Sequence, residues 1–418
     1  MKNKIINNLN NPSQLEKLYR ENKASFKKEF NQLYPEYQNR LVLQYWNERL
    51  NFETEKKSFG SKKELLFVLV IALLAGLVAN IPNITGINEE RFFSKNIAFI
   101  VFPFLSFYFI TSQKLALNKF LFPALAILIS VVYINLLPYN IKSNSIVLAQ
   151  IHLPLFLWAV LGYAFLGNTY SDSQKRIDFL KFNGDLVVIC AIMFLSGMLF
   201  SVITLGLFEL IGLDIAKFYF QHIAIWGAAA IPIVGTYLIQ SNPQLISKVS
   251  PIIAKIFAPL VFLNLFIYLC AVIYTGKYPY NDRNLLLVFN ALLIGVLALI
   301  LFSVAETSKT SKTKFSLLLL FGLSILTIII NSIALSAISF RIMQWGFTPN
   351  RLAVLGGNIL IFINLLLVSH KLFMINRDRA EVEAVEISIA SFLPIYGIWT
   401  GLVTFPFPML FHFKYSRE

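Results

Sequence analysis

The chain has 418 residues, 57% of them hydrophobic and only 14% charged, with a mean hydropathy of +0.66. A soluble domain carries roughly 25% charged residues, so these values exclude a water-soluble globular protein and leave no length for a second large soluble domain. The formal net charge of +14 does not imply nucleic acid as a partner. The basic residues gather in the polar N-terminal region and in short connections between apolar runs, which is the Lys/Arg excess of cytoplasmic segments.

Residues 1–63 hold 13 Lys/Arg and seven acids. Pro12-Ser13 followed by Glu16 reads as a capping box, in which a Ser oxygen and a Glu carboxylate satisfy exposed backbone donors. Leu15, Leu18, Tyr19, Phe26 and Phe30 then recur at helical spacing. Leu41 to Leu50 reads as a further short helix. The expectation is a small helical head over 1–63 that caps the cytoplasmic face; a regulatory or partner-binding module and adhesion to the membrane surface are the alternatives. Its polarity leaves no cleavable signal peptide, so the first apolar run is expected to act as an uncleaved signal anchor.

Residues 64–413 carry eleven apolar stretches, near 65–84, 97–113, 120–138, 146–166, 185–213, 218–240, 251–275, 284–305, 314–340, 350–373 and 386–412. About 20 apolar residues in a helix cross a bilayer core. The expected fold is therefore an all-α polytopic transmembrane helical bundle with the small N-terminal head. Ser250-Pro251 and Thr348-Pro349 pair an N-cap with proline at the first helical position. Asn281-Asp282 is expected to cap the eighth stretch, and Asn183-Gly184-Asp185 to open the fifth. The last stretch holds Pro394, Gly397, Gly401, Pro406 and Pro408. It reads either as an eleventh crossing or as a broken or re-entrant segment that returns the tail to the cytoplasm. No internal repeat is visible.

With the N-terminus in the cytoplasm, the inner connections hold 12 Lys/Arg and the outer ones eight. That bias, added to the basic head, favours this orientation. Anionic lipid headgroups are the expected partners of the basic residues.

Polar groups within a bilayer are costly and mark functional sites. Under this orientation Glu209, His222, Asn290, Asn331, Arg341 and Asn358 fall in the outer half, with Arg351 in the adjoining loop. They are candidates for lining a polar vestibule that takes a small or lipidic substrate. The alternative is separate helix–helix hydrogen bonds, each contributing about 1 kcal/mol or less. Asn264 and Asn364 lie nearer the midplane, where an amide most often bridges two helices. Pro103, Pro154, Pro232 and Pro259 fall within stretches, and broken helices line the substrate sites of many transporters. The Gly227-Ala-Ala-Ala230 run favours close helix packing.

The chain has no Walker-type loop, no His-Glu-x-x-His, no Cys/His metal spacing and no Gly-x-Ser-x-Gly. Its two cysteines, Cys190 and Cys270, sit in separate stretches. No catalytic residue, no metal and no cofactor is therefore assigned.

Arg341-Ile-Met-Gln-Trp-Gly-Phe-Thr-Pro-Asn-Arg351, Pro279-Tyr-Asn-Asp-Arg283, Asn183-Gly-Asp185 and Ala305-Glu-Thr-Ser-Lys309 together resemble a bacterial membrane family, "domain of unknown function 4153". The head segments Asn11 to Glu21 and Tyr45 to Leu50 look like its Bacteroidetes form. The resemblance covers essentially the whole chain. It implies a multi-span protein of the bacterial inner membrane and carries no reaction or catalytic residues with it. A secondary transporter or lipid-handling permease is the leading expectation. A membrane accessory or signalling protein is the alternative. A third reading is a membrane-embedded enzyme acting on a lipid-linked substrate, with Glu209 or Asp282 near Arg341 or Arg351.

Overall fold

The computed structural model describes residues 2–9, 11–38, 40–51, 62–113, 115, 117–140, 142–210, 213–241, 258–259, 261–263, 265–267, 270, 293–301, 303–304, 314–377 and 379–411. Every regular element among them is helical. Backbone contacts divide the chain into two compact units, Met1–Phe59 and Gly60–Glu418.

The first unit contains α1 (Lys2–Ile6), α2 (Pro12–Glu21), α3 (Lys23–Leu33) and α4 (Leu41–Asn51). One face of each helix buries an apolar set that includes Ile5, Leu15, Leu18, Phe26, Phe30, Leu43 and Trp46. The start of α2 differs from the expected capping box. Asn11 Oδ1 accepts from the Gln14 amide and Pro12 occupies the first turn. Glu16 is thereby released to pair with Arg20 at 2.8 Å and Arg49 at 2.6 Å. A guanidinium offers charge-assisted hydrogen bonds, which are stronger than a neutral amide donor.

The second unit begins with α5 (Lys62–Ala79) and α6 (Ile81–Thr85). It continues with α7 (Glu89–Asn96), α8 (Phe102–Ser112), α9 (Leu117–Leu136), α10 (Asn144–Leu166) and α11 (Ser173–Leu210). After α12 (Ala216–Tyr219), one π-helical turn over Phe220–Ala224 leads into α13 (Ile225–Ser241). The C-terminal part holds α14 (Lys314–Trp345), α15 (Pro349–Asn376), α16 (Glu383–Thr404) and α17 (Pro406–Leu410). Eight helical segments of the described residues are long and apolar enough to cross a membrane. Lipid offers no hydrogen bonds, so the backbone must satisfy itself within each helix. The protein is a membrane-embedded, all-α polytopic bundle. The expected stretches 251–275 and 284–305 lie largely outside the described residues, with the caps Ser250-Pro251 and Asn281-Asp282.

The two largest apolar clusters hold most of the bundle together. One joins α5, α8, α10, α11 and α13 through Ile71, Ala75, Leu105, Phe109, Leu161 and Ile233. The other joins α11, α14, α15 and α16 through Ile177, Leu323, Leu365, Val385 and Ile389, with residues 293–304. Association between helices in lipid depends on close packing rather than on water release, and glycines admit it. A Cβ on Gly76 would lie 2.5 Å from the Trp226 ring, and one on Gly356 2.1 Å from the Trp399 ring. In the expected small-residue run, Gly227 faces open space, while Ala229 is buried against the first cluster.

The fifth stretch needs correction. Asn183-Gly184-Asp185 does not open a helix but lies inside α11, which starts at Ser173 and runs for 38 residues. At a rise of about 1.5 Å per residue it is about 57 Å long, against roughly 30 Å for a hydrocarbon core. Its polar first third stays helical because its side chains find partners. Lys175 pairs with Asp178, and Asn183 accepts from the Trp158 indole at 2.8 Å while donating to the Phe179 carbonyl. Thr348-Pro349 does start α15 as expected, with Thr348 Oγ1 accepting from the Arg351 amide. The last stretch is broken at Phe405, between α16 and α17. Of the prolines, Pro154 and Pro232 lie inside α10 and α13, whereas Pro103 opens α8 after a 3-10 segment at Ile97–Ile100.

Candidate functional site: a basic-rimmed apolar cavity

The polar candidates separate into distinct groups. Asn331 on α14 donates from Nδ2 to the Asn358 carbonyl of α15 at 3.1 Å, and both residues are buried. Farther along α15, Asn364 donates to the Tyr396 hydroxyl of α16 at 2.9 Å. These amides bridge neighbouring helices, as expected of Asn364. The Oδ1 atoms of Asn331 and Asn364 are buried without a hydrogen-bond partner among the described residues.

Arg341 and Arg351 meet around Trp345, at the turn between α14 and α15. Their guanidinium carbons lie 5.4 and 5.7 Å from the indole ring. Arg351 Nη1 also donates to the carbonyls of Trp345 and Gly346. Gly346 has φ of +74°, a conformation that resists a side chain. Met343, Trp345 and Phe347 are exposed here, an aromatic and basic pattern suited to a membrane interface.

Glu209 is exposed near the end of α11, and no ion pair among the described residues includes it or Arg341. His222 is exposed in the π-helical turn, its ring 5.0 Å from that of Phe218. The same turn frees the Gln221 carbonyl, which accepts from Asn83 at 3.0 Å. Asn290, Asn264, Asp282 and Arg283 lie outside the described residues.

Away from these candidates, α9, α10, α11 and α16 enclose a cavity of about 440 Å³. Its walls are apolar, with Phe156, Trp158, Phe179, Leu393 and Gly397 among them. Phe122, Pro394 and Ile398 are exposed at its rim, so it opens on the outer surface of the helices. One end is polar and carries Tyr163, Tyr170 and Arg176. Arg176 bridges helices there: Nε donates to the Tyr170 carbonyl at 2.9 Å and Nη1 to the Ala390 carbonyl of α16 at 3.2 Å. The Lys119 ammonium lies 5.1 Å from the Tyr170 ring centre, in cation–π range.

A second α11–α16 link lies one to two turns farther along α11. Lys181 and Glu386 face each other at 3.8 Å with side chains only 6% and 2% exposed. Two charges so enclosed are retained only as a pair, since either alone is costly. Neither the pair nor the cavity was legible from the sequence. Lys181 read as a loop cation, and Glu386 stood at the edge of an apolar stretch. The one available signal was the acid–base content at the starts of those two segments.

These features define the class of protein: a polytopic helical membrane protein with an apolar cavity that one basic residue, Arg176, lines. Comparisons with protein-family models, with curated proteins and with solved structures give no match. No group of three or more His, Cys, Asp or Glu side chains among the described residues is placed to hold a metal ion.

Proposed function

We propose that this chain is a lipid-handling permease of the bacterial inner membrane, with its N-terminal head in the cytoplasm. The cavity between α9, α10, α11 and α16 is the observation that carries this reading. Its volume of about 440 Å³ falls within the roughly 300–1,000 Å³ typical of ligand pockets. Its walls suit a hydrocarbon chain, and its exposed rim allows sideways entry from the bilayer. A site for a hydrophilic solute would instead need several convergent polar groups. Arg341, Trp345 and Arg351 support contact with headgroups at the end of α14. Glu209, His222, Asn331 and Asn358 lie outside the cavity lining, and no catalytic role is assigned to any of them.

Reconstitution into liposomes with tail-labelled phospholipid tests the proposal. Protein-containing vesicles should exchange label between leaflets faster than protein-free ones. Rates equal to the protein-free control would overturn it. The accessory or signalling alternative draws on the head, whose helices share their own core and leave Leu41 and Tyr45 exposed on α4.

A further inference from the structure

Arg176 on the cavity wall and Lys119 beside the Tyr170 ring form no ion pair with the acids of α11 and α16 among the described residues. In α11, Asp178 pairs with Lys175, and Glu386 of α16 pairs with Lys181. Asp172 accepts from the Gln174 amide. No ion pair among the described residues includes Arg176 or Lys119, and no acid lines the cavity. Arg176 is nonetheless fixed in place. The carbonyls of Tyr170 and Ala390 hold Nε and Nη1, while Nη2 has no hydrogen-bond partner among the described residues. With Nε and Nη1 taken by backbone on opposite sides of the group, the guanidinium is oriented and its Nη2 stays available to an anion with little further loss of side-chain freedom. Lys119 shares the Tyr170 ring with this end of the cavity, so a second positive charge stands close by.

An apolar slot with one uncompensated cation on its wall, and a second over the ring of the lining Tyr170, is complementary to a molecule with a hydrocarbon tail and an anionic head. We propose that the cavity binds an acyl chain of an anionic phospholipid, its phosphate held by Arg176 Nη2 and Lys119. This rests on the lipid-handling reading and adds the substrate class. A zwitterionic lipid offers the same tail and phosphate, but its own ammonium is repelled by Lys119. A basic group near a membrane surface favours an anionic lipid by about 1 kcal/mol, or about five-fold. The two together therefore select by more than either alone.

The test is native mass spectrometry of the full-length protein, released from micelles containing equal amounts of phosphatidylglycerol and phosphatidylethanolamine. Retained phosphatidylglycerol should exceed phosphatidylethanolamine by at least ten-fold. Lys119→Gln, which removes the charge and its contact with the Tyr170 ring, should cut that preference about five-fold. Arg176→Gln should cut it at least as far. Ile398→Trp, at the exposed rim, should lower retention of both lipids and leave their ratio unchanged. Equal retention of the two lipids, or a preference indifferent to Lys119, would overturn the anionic assignment and leave the lipid-handling reading standing. Absence of any retained lipid, or retention untouched by Ile398→Trp, would overturn both. Competition by soluble glycerol phosphate without any tail would assign the cations to a free phosphate and overturn the lipid site.

Discussion

Single residues set this bundle's tolerances. Gly356 is the tightest of the described glycines: a methyl group there would have to occupy space 2.1 Å from the Trp399 ring. Overpacking of this kind costs about 1–3 kcal/mol. Gly356→Ala should lower the melting temperature in detergent, and adding Trp399→Leu should recover most of the loss. An equal drop in the single and double variants would show that the ring is not the obstacle. The Lys181–Glu386 pair behaves differently, because its cost lies in separation. Glu386→Gln leaves an ammonium whose side chain is only 6% exposed, a loss of about 3 kcal/mol or more. Replacing both residues with Met and Leu should be far milder than the sum of the single changes. A thermal-shift cycle over the four proteins measures the coupling, and additive losses would deny it.

At the scale of elements, polar sequence did not mean loop. The first third of α11 carries Lys175, Asp178, Lys181 and Asp185, and composition alone places it outside the membrane-spanning stretch. It remains helical because ion pairs and side-chain hydrogen bonds satisfy it, and because Arg176 and Lys181 tie it to α16. The same kind of competition moved the α2 cap from Ser13 to Asn11. In the head, the Arg20 and Arg49 guanidiniums hydrogen-bond Glu16 and hold its carboxyl below its ordinary value. A depressed carboxyl stabilises the folded head above its ordinary range, and that contribution fades as pH falls through the lowered value. Amide exchange in α2 of the full-length protein should therefore quicken on acidification below about pH 4.5. Glu16→Gln should already show the faster exchange at neutral pH and respond less to acid. An unchanged acid response in Glu16→Gln would place the sensitivity elsewhere.

For the whole molecule, the proposed orientation follows from charge. The head carries 13 Lys/Arg against seven acids, and the connections assigned to its side hold 12 Lys/Arg against eight opposite. A cysteine introduced for the exposed Tyr45 should react with an impermeant maleimide only after cells are permeabilised. Labelling in intact cells would invert the proposed topology.

Much of the architecture was carried by composition along the chain. Runs such as Leu317 to Ala337 can satisfy their backbone in lipid only as helices, so the all-α bundle follows from local hydropathy and length. The head's helices were equally readable, because Leu15, Leu18, Phe26 and Phe30 repeat at a helical interval. The bridging role of Asn364 was legible for a similar reason, since a lone midplane amide needs a partner on another helix. Which helix supplies that partner is a matter of packing. The meeting of Lys181 with Glu386, of Arg176 with Ala390, and of Gly356 with Trp399 joins residues more than 40 positions apart, and no local pattern encodes such pairs. The cavity is the clearest case. Its walls are ordinary apolar residues on four helices, indistinguishable in sequence from those that face lipid or core. Only the tertiary arrangement leaves space among them and sets Arg176 on its wall.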